Sequence, residues 1–469
     1  MGSSLDLDRT HLKKTAGPPL PSVRMLAARF LLRWENFYKN RPPLNELAEE
    51  TLKHHEPLDP RDRALFYELI FGTVRNLILL DWIIDSRVNN GCILSPLTRS
   101  HLRIGAYQIL FLDKIPDFAV VNEAVEAIKA TKDNRAAGLV NAVLRRLTKA
   151  RNGGDMTVYN AGGLDPIKRL SLETSHPMWM LNRWIRRYGL DKTKIRCLWN
   201  NQRAPLTLRV NRRRARRGEV ISLMSKAGLE ARPGRYCPDA LVVHGFSGAP
   251  TTLPGWNDGL FLVQDEAAQL VTLLLDPTPN ERILDLCAGA GGKTIHIADI
   301  ISDVGLIHAF DPNKKRLARL VEVRDRLELK SIEIVQTKQG LLKNYDRILI
   351  DAPCSGFGVI RRRPDIKWNR TEALIQILSR TQLELLKEAS ERVRPGGRLV
   401  YAVCTTEPDE TTGVIEAFLK TRPDFRLITC RNCLPDRAKM LADKAGFLEI
   451  KPKEDGPDLF FAAVLEAPC

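Results

Sequence analysis

Apolar positions recur with helical spacing through the first third of the chain. Val121, Ala124, Val125 and Ile128 share one face at i, i+3, i+4, i+7, and Leu139, Val140, Val143, Leu144 and Leu147 line another. Pro42, Pro43, Pro57, Pro60, Pro96 and Pro116 punctuate these stretches, so residues 23–150 are expected to form an all-α bundle. The Gly- and Asn-rich stretch 151–165 reads as a linker. Segment 166–258 mixes periods. Leu206–Val210 and Ala240–Val243 alternate as strands and Glu219–Ala227 is helical, which predicts a small α/β subdomain. From 259 to 469 the pattern changes again. Short apolar runs at Ile283–Leu286, Leu306–Phe310, Ile348–Ile350 and Leu399–Val403 suit buried parallel strands. Helical stretches such as Lys314–Leu327 and Glu372–Val393 separate them, and Leu459–Leu465 reads as a last strand. This βαβ rhythm predicts an α/β fold with a doubly wound sheet.

A length of 469 residues suits about three domains. The 72 Lys and Arg against 56 Asp and Glu leave a net charge of +16, which points to a polyanionic partner or to a solvated basic surface. Arg75, Arg103, Arg145 and Arg146 could form a phosphate-binding face of the bundle or simply its wet side. Arg212, Arg213, Arg214, Arg216 and Arg217 crowd six positions, repel one another, and favour an RNA contact over a solvated turn. No apolar run reaches the roughly 18 residues that span a bilayer. Residues 1–22 lack a signal-peptide core and read as a disordered tail. Nine thinly spread cysteines fit a reducing cytoplasm better than a disulfide framework. Cys430 and Cys433 form a lone CxxC, so a metal site is disfavoured. His101, His176 and His296 form no cluster and are read as structural.

The chemistry concentrates at the ends of the expected strands. Ile283 to Thr294 runs from an apolar strand through Cys287, Ala288, Gly289, Ala290, Gly291, Gly292 and Lys293 into a helix, a place where backbone N–H groups can meet a ligand. Gly292-Lys293-Thr294 mimics the end of a P-loop, but Cys287 stands where its first glycine belongs, which disfavours a nucleoside triphosphate. Asp311 ends the next strand, where a carboxylate accepts ribose hydroxyls or caps the following helix. Loop and carboxylate together suggest a nucleoside-containing cofactor. Asp351-Ala-Pro-Cys354 and Tyr401-Ala-Val-Cys404 end two further strands, so two thiols and a carboxylate should meet near that cofactor. A lone cysteine at a strand end is usually a small buried hydrophobe. Two at adjacent strand ends, one beside Asp-Ala-Pro, reverse that expectation.

Asp285-x-Cys-Ala-x-x-Gly-Gly-Lys-Thr294, Asp351-Ala-Pro-Cys-Ser355 and Tyr401-x-x-Cys404 resemble the motifs of the RNA cytosine-C5 methyltransferases, the Sun-type family. Phe261–Ala268 and Val359–Trp368 extend the resemblance. Leu102–Leu112, Val121–Val125 and Asn141–Arg146 resemble the NusB-like RNA-binding domain fused to the bacterial members that act on 16S ribosomal RNA. The resemblance implies a Rossmann-like methyltransferase domain over 259–469, a NusB-like domain over 23–150 and an RRM-like segment between them. It implies S-adenosylmethionine as cofactor and ribosomal RNA as partner of a cytoplasmic monomer. It further implies Cys404 as nucleophile, Cys354 as the group assisting product release, Asp351 on the cytosine ring and Lys293 orienting Asp351. Cys287 to Lys293, Asp311 and Asp351 would hold the cofactor. Spacing alone leaves the two thiols interchangeable, since DNA cytosine-C5 enzymes use a Pro-Cys after the fourth strand as nucleophile. The chain departs from the family at Gly289-Ala290, usually Ala-Pro. It departs again at Val335–Gly340, which lacks the usual carboxylate near the adenine and leaves backbone groups or Gln339 for that task.

Overall fold

A computed structural model of the chain describes residues 22–38, 41–55, 57–88, 92–153, 163–246 and 248–469. The tail expected over 1–22 lies, except for Ser22, outside the described residues, as do residues 154–162 of the expected linker.

The first domain packs α1 (Val23–Asn36), α2 (Leu44–Lys53), α3 (Pro60–Arg75), α4 (Leu77–Asp85), α5 (Pro96–Phe111), α6 (Asp117–Lys129) and α7 (Ala137–Asn152). Two of the punctuating prolines, Pro60 and Pro96, start helices. Asp59 and Ser95 cap them by accepting backbone N–H groups of the first turn. The central helix α5 is buried nearly all round. This corrects one reading of the arginines. Arg103 is buried on α5, held by Glu35 at 2.7 Å and Asp81 at 2.8 Å, and cannot face a phosphate. Arg75 donates to Arg361 O at 3.0 Å, far along the chain. Only Arg145 and Arg146 of the four are exposed.

Residues 166–201, where the patterning predicts a mixed segment, form three helices, α8 (Pro166–Thr174), α9 (Met178–Tyr188) and α10 (Leu190–Asn201). The small sheet follows: β1 (Leu206–Val210), α11 (Arg217–Lys226), β2 (Glu230–Pro233), β3 (Ala240–His244) and β4 (Phe261–Val263), all antiparallel in the order β2-β3-β1-β4. A 3-10 turn at Pro250–Thr252 stands where a βαββαβ unit would carry its second helix. Phe261–Val263, expected to open the large domain, pairs instead with β1 through Val210↔Phe261 and Leu208↔Val263. Three arginines of the expected cluster have acidic partners. Arg212 pairs with Asp239 at 2.5 Å, Arg213 with Asp303 at 3.4 Å and Arg214 with Glu328 at 3.4 Å. These three partners are distant in sequence, and among the described residues Arg216 and Arg217 form no ion pair.

The large domain comprises α12 (Glu266–Leu275), β5 (Arg282–Asp285), α13 (Gly292–Ile300), β6 (Leu306–Ala309), α14 (Lys314–Arg326), β7 (Ile332–Ile334), β8 (Tyr345–Asp351), α15 (Ile366–Asn369), α16 (Glu372–Ser390), β9 (Val393–Val403), α17 (Thr412–Thr421), β10 (Arg426–Ile428), β11 (Leu448–Glu449) and β12 (Phe461–Glu466). Its sheet runs β10-β12-β9-β8-β5-β6-β7, with β11 on β12. The strands from β5 to β9 are parallel, and β12 returns antiparallel to β9. Ile283, Leu284, Ile348, Leu349, Leu399 and Val400 are fully buried, since helices cover both faces. From β5 the chain moves to β6 on one side and later returns to β8 on the other. The crevice therefore opens between β5 and β8, at their carboxyl ends.

The helical domain is clasped to that edge. Trp368 Nε1 donates to Val74 O at 2.9 Å and Lys367 Nζ to Arg75 O at 2.7 Å. These belong to the end of α3, where carbonyls lack helical partners. At a second point Arg319 of α14 pairs with Glu49 of α2 at 2.8 Å. Among the described residues no helix is long and apolar enough to cross a membrane.

Candidate active site

After β5 the chain turns through Leu286–Gly291 into α13. Gly289 and Gly291 take φ of 56° and 86°, a region that favours glycine. A Cβ added at Gly289 would meet nothing within 4 Å, so the loop opens on free space there. Behind it, Thr294 Oγ1 donates to Asp285 Oδ2 at 2.7 Å, and burial pushes the Asp285 carboxyl up to about 7. The P-loop-like hydroxyl is thus turned inward. Asp311, after β6, accepts the Gly289 N–H on Oδ2 at 2.9 Å and the Asn313 N–H on Oδ1 at 2.7 Å. Asn313, not Asp311, caps α14. Each Asp311 oxygen keeps a lone pair for a ribose hydroxyl. The open glycine loop and this anchored carboxylate fit S-adenosylmethionine. Gln339 is exposed in the stretch after β7.

The parallel register sets Asp351 of β8 beside Ala402 of β9, so the loops that follow meet. There Cys354 Sγ and Cys404 Sγ lie 3.4 Å apart. The contact with Cys404, then burial, hold the Cys354 thiol well above the usual range. Lys293 Nζ, on the first turn of α13, pairs with Asp351 Oδ2 at 2.5 Å and lies 5.3 Å from the centre of the Phe460 ring. Burial pushes the Cys287 thiol up as well. The loops are stitched by Gly358 N–H to Cys404 O at 2.9 Å and Ser355 Oγ to Thr405 Oγ1 at 3.0 Å. A Cβ at Gly358 would stand 1.9 Å from Leu459 O and 2.9 Å from Cys404 O. Gly358→Ala is therefore expected to displace the Cys404 loop. It should destabilise the fold by about 1–3 kcal/mol and lower kcat roughly 100-fold. Wild-type kcat in a methyl-transfer assay would refute this.

Other parts of the chain hold the site, and residue spacing did not reveal them. Trp184 Nε1 donates to Glu407 Oε1 at 2.9 Å and Arg183 Nε to Oε2 at 2.5 Å. Arg196, 4.5 Å over the Trp184 ring, donates to Thr406 Oγ1 at 2.9 Å. Helices α9 and α10 thus grip the loop that carries Cys404. From β1, Arg209 reaches Gly292 O at 2.9 Å and Asp299 at 2.8 Å, tying the small sheet to the glycine loop. His101, His176 and His296 are buried, and burial holds all three below the usual imidazole range. Among the described residues no cluster of three metal-ligating side chains exists, the CxxC included.

Residues 272–466 match the family described as 16S rRNA methyltransferase RsmB/F. Residues 21–149 match the NusB family, and 176–248 the ferredoxin-like domain of RsmF/B-like methyltransferases. A relative from Bacillus subtilis (strain 168), "Probable ribosomal RNA small subunit methyltransferase B", is 35% identical over 447 residues, 94% of this chain and 97% of the relative. The chain belongs to the ribosomal RNA small subunit methyltransferase B family. A second member, from Serratia proteamaculans, is 36% identical over 87% of the chain and 92% of its own length. The crystal structure of PH0851 covers 97% of the chain and 100% of its own length, at 26% identity and a TM-score of 0.77. As a member of this family, the protein is an RNA methyltransferase that uses S-adenosylmethionine, with a NusB-like domain before a ferredoxin-like and a methyltransferase domain.

Proposed function

We propose that the protein transfers a methyl group from S-adenosylmethionine to C5 of a cytosine in 16S ribosomal RNA, through a transient bond between Cys404 and C6 of the base. The observation that carries this reading is the pair of sulfurs 3.4 Å apart at adjacent strand ends, beside the Lys293–Asp351 pair. C5 of cytosine is a poor nucleophile. Addition of the Cys404 thiolate to C6 makes the ring an enamine whose C5 can attack, dividing one difficult step into easier ones. Asp351 hydrogen-bonds the ring and favours its protonated, electrophilic form, while Lys293 orients Asp351 and supplies positive charge. When bound, S-adenosylmethionine supplies an electrophilic methyl group on a sulfonium centre. Residues Cys287 to Lys293 enclose its amino-acid and ribose portions, and Asp311 accepts the ribose hydroxyls. After methylation C5 gives up its proton to water, the C6–S bond breaks and its electron pair restores the thiolate of Cys404. Cys354, in contact with Cys404, assists this release.

The base must leave its stack to meet the thiolate, so the target lies in a loop, bulge or opened helix end. The protein acts as a monomer on unassembled or partly assembled small-subunit RNA, with its basic surface on neighbouring phosphates. The test is methyl transfer to unmodified 16S ribosomal RNA, followed by bisulfite mapping. One 5-methylcytosine is expected. Intact cofactor binding without product would indicate a non-catalytic assembly factor, and product on transfer RNA alone would reassign the substrate.

A further inference from the structure

Two arginines, Arg370 at the Cys354 loop and its neighbour Arg363, are not used by the chemistry above. Arg370 Nε donates to Ser355 O at 2.9 Å, the carbonyl of the residue after Cys354. Its Nη1 reaches only Asn369 O, at 3.4 Å. Among the described residues Arg370 forms no ion pair. The nearby carboxylate, Asp365, is buried and pairs with Arg363 at 3.3 Å. Arg363 Nε is itself buried without a partner. Burial, then the charge of Arg363, lower the Arg370 guanidinium, while Cys354 and Cys404 are close enough to act on it in the opposite sense. Asp365 serves Arg363, which leaves Arg370 without a carboxylate partner beside the Cys354 loop. Folding has brought like charges together where a single anion would relieve them. A guanidinium fork matches the oxygens of a phosphodiester, and such charge-assisted bonds are strong.

We propose that Arg370 and Arg363 form an anion subsite that takes a phosphodiester of the nucleotide whose base enters beside Cys404 and Cys354. This rests on the reading that the base lies between those thiols and the Lys293–Asp351 pair. The subsite would hold the backbone while the base is unstacked. It reads no sequence, since phosphate contacts position the RNA without specifying it.

The test uses the full chain, protein-free 16S ribosomal RNA as probe, and the variants Arg370→Gln, Arg370→Lys and Arg363→Gln. RNA binding is titrated against KCl, and S-adenosylmethionine binding is measured by calorimetry. Arg370→Gln is expected to weaken RNA binding about 10-fold and to make the slope of log K against log [KCl] shallower by about 0.7, the loss of one single-strand phosphate contact. Arg370→Lys should keep most of the slope and lose part of the affinity. Cofactor affinity should stay at its wild-type value. An unchanged salt slope overturns the proposal. So does weakened cofactor binding with RNA affinity intact, which would place the pair on the cofactor carboxylate. If Arg370→Gln fails to fold by circular dichroism, the slopes of Arg370→Lys and Arg363→Gln decide. These slopes come from binding, not turnover, so they stand apart from the proposed reaction, which fails instead by absence of 5-methylcytosine.

Discussion

Replacing Cys404 with alanine abolishes methyl transfer, by on the order of 10³-fold or more, and leaves no covalent enzyme–RNA species. Replacing Cys354 with alanine gives a different failure, in which the adduct forms, release stalls, and enzyme accumulates on RNA as a band that survives denaturing electrophoresis. The contrast follows from the 3.4 Å sulfur contact and from the two roles proposed for these thiols. Removing Cys354 leaves the attacking sulfur in place but takes away the group that helps it leave. Removing the attacking sulfur leaves nothing to bond C6. Both variants change one small side chain, so melting curves close to wild type are expected. Trapping by Cys404→Ala together with loss of the adduct in Cys354→Ala would exchange the two roles.

The largest expected loss of stability lies away from the thiols. Arg361 Nε donates to Asp458 Oδ1 at 2.7 Å and Arg362 Nε to Oδ2 at 2.6 Å. Arg362 also pairs with Asp265 at 2.7 Å, and Arg361 lies 4.3 Å over Trp199. Asp458 and the Arg361 side chain are almost wholly buried. Asp458→Ala would leave two guanidinium groups sharing one carboxylate inside the protein. Breaking one partner of a buried ion pair costs about 3–5 kcal/mol, equivalent to a fall of roughly 10 °C in Tm. Asp458→Asn should fall between this variant and wild type. The effect should reach the site as well, because Leu459 N–H bonds Gly358 O and Gly358 N–H bonds Cys404 O. Scanning calorimetry with a parallel kcat measurement checks both parts. An unshifted Tm would mean that the cluster contributes nothing net to stability.

The site was legible where its parts are local. The glycine loop, Asp311, Asp351 and the two cysteines each follow a strand, and apolar runs bounded by glycine and helix reveal such strands without tertiary information. Chemistry and resemblance, not spacing, distinguished Cys404 from Cys354. What escaped was carried by long-range pairing. Trp184 and Arg183 meet Glu407 across more than two hundred residues, and no periodicity announces such a contact. Reading the arginines locally failed for the same reason. Arg103 looked like one more basic residue on an amphipathic helix until Glu35 and Asp81 closed over it. Phe261–Val263 looked like the start of the large domain because a helix follows it directly, yet its backbone groups pair with β1.

The sequence by itself determined the order of the parts: a helical domain, a small mixed segment, then a βαβ succession with its reactive side chains after the strands. It could do so because strand and helix periods, turn residues and motif chemistry are properties of neighbouring residues. Only the tertiary structure decided that two sulfurs touch, that α9 and α10 grip the Cys404 loop, and that α3 is clasped to the edge of the crevice. Those outcomes depend on which distant carboxylates, carbonyls and apolar faces come to share one interior, and burial, which sets both charge and proximity there, does not exist until the chain has folded.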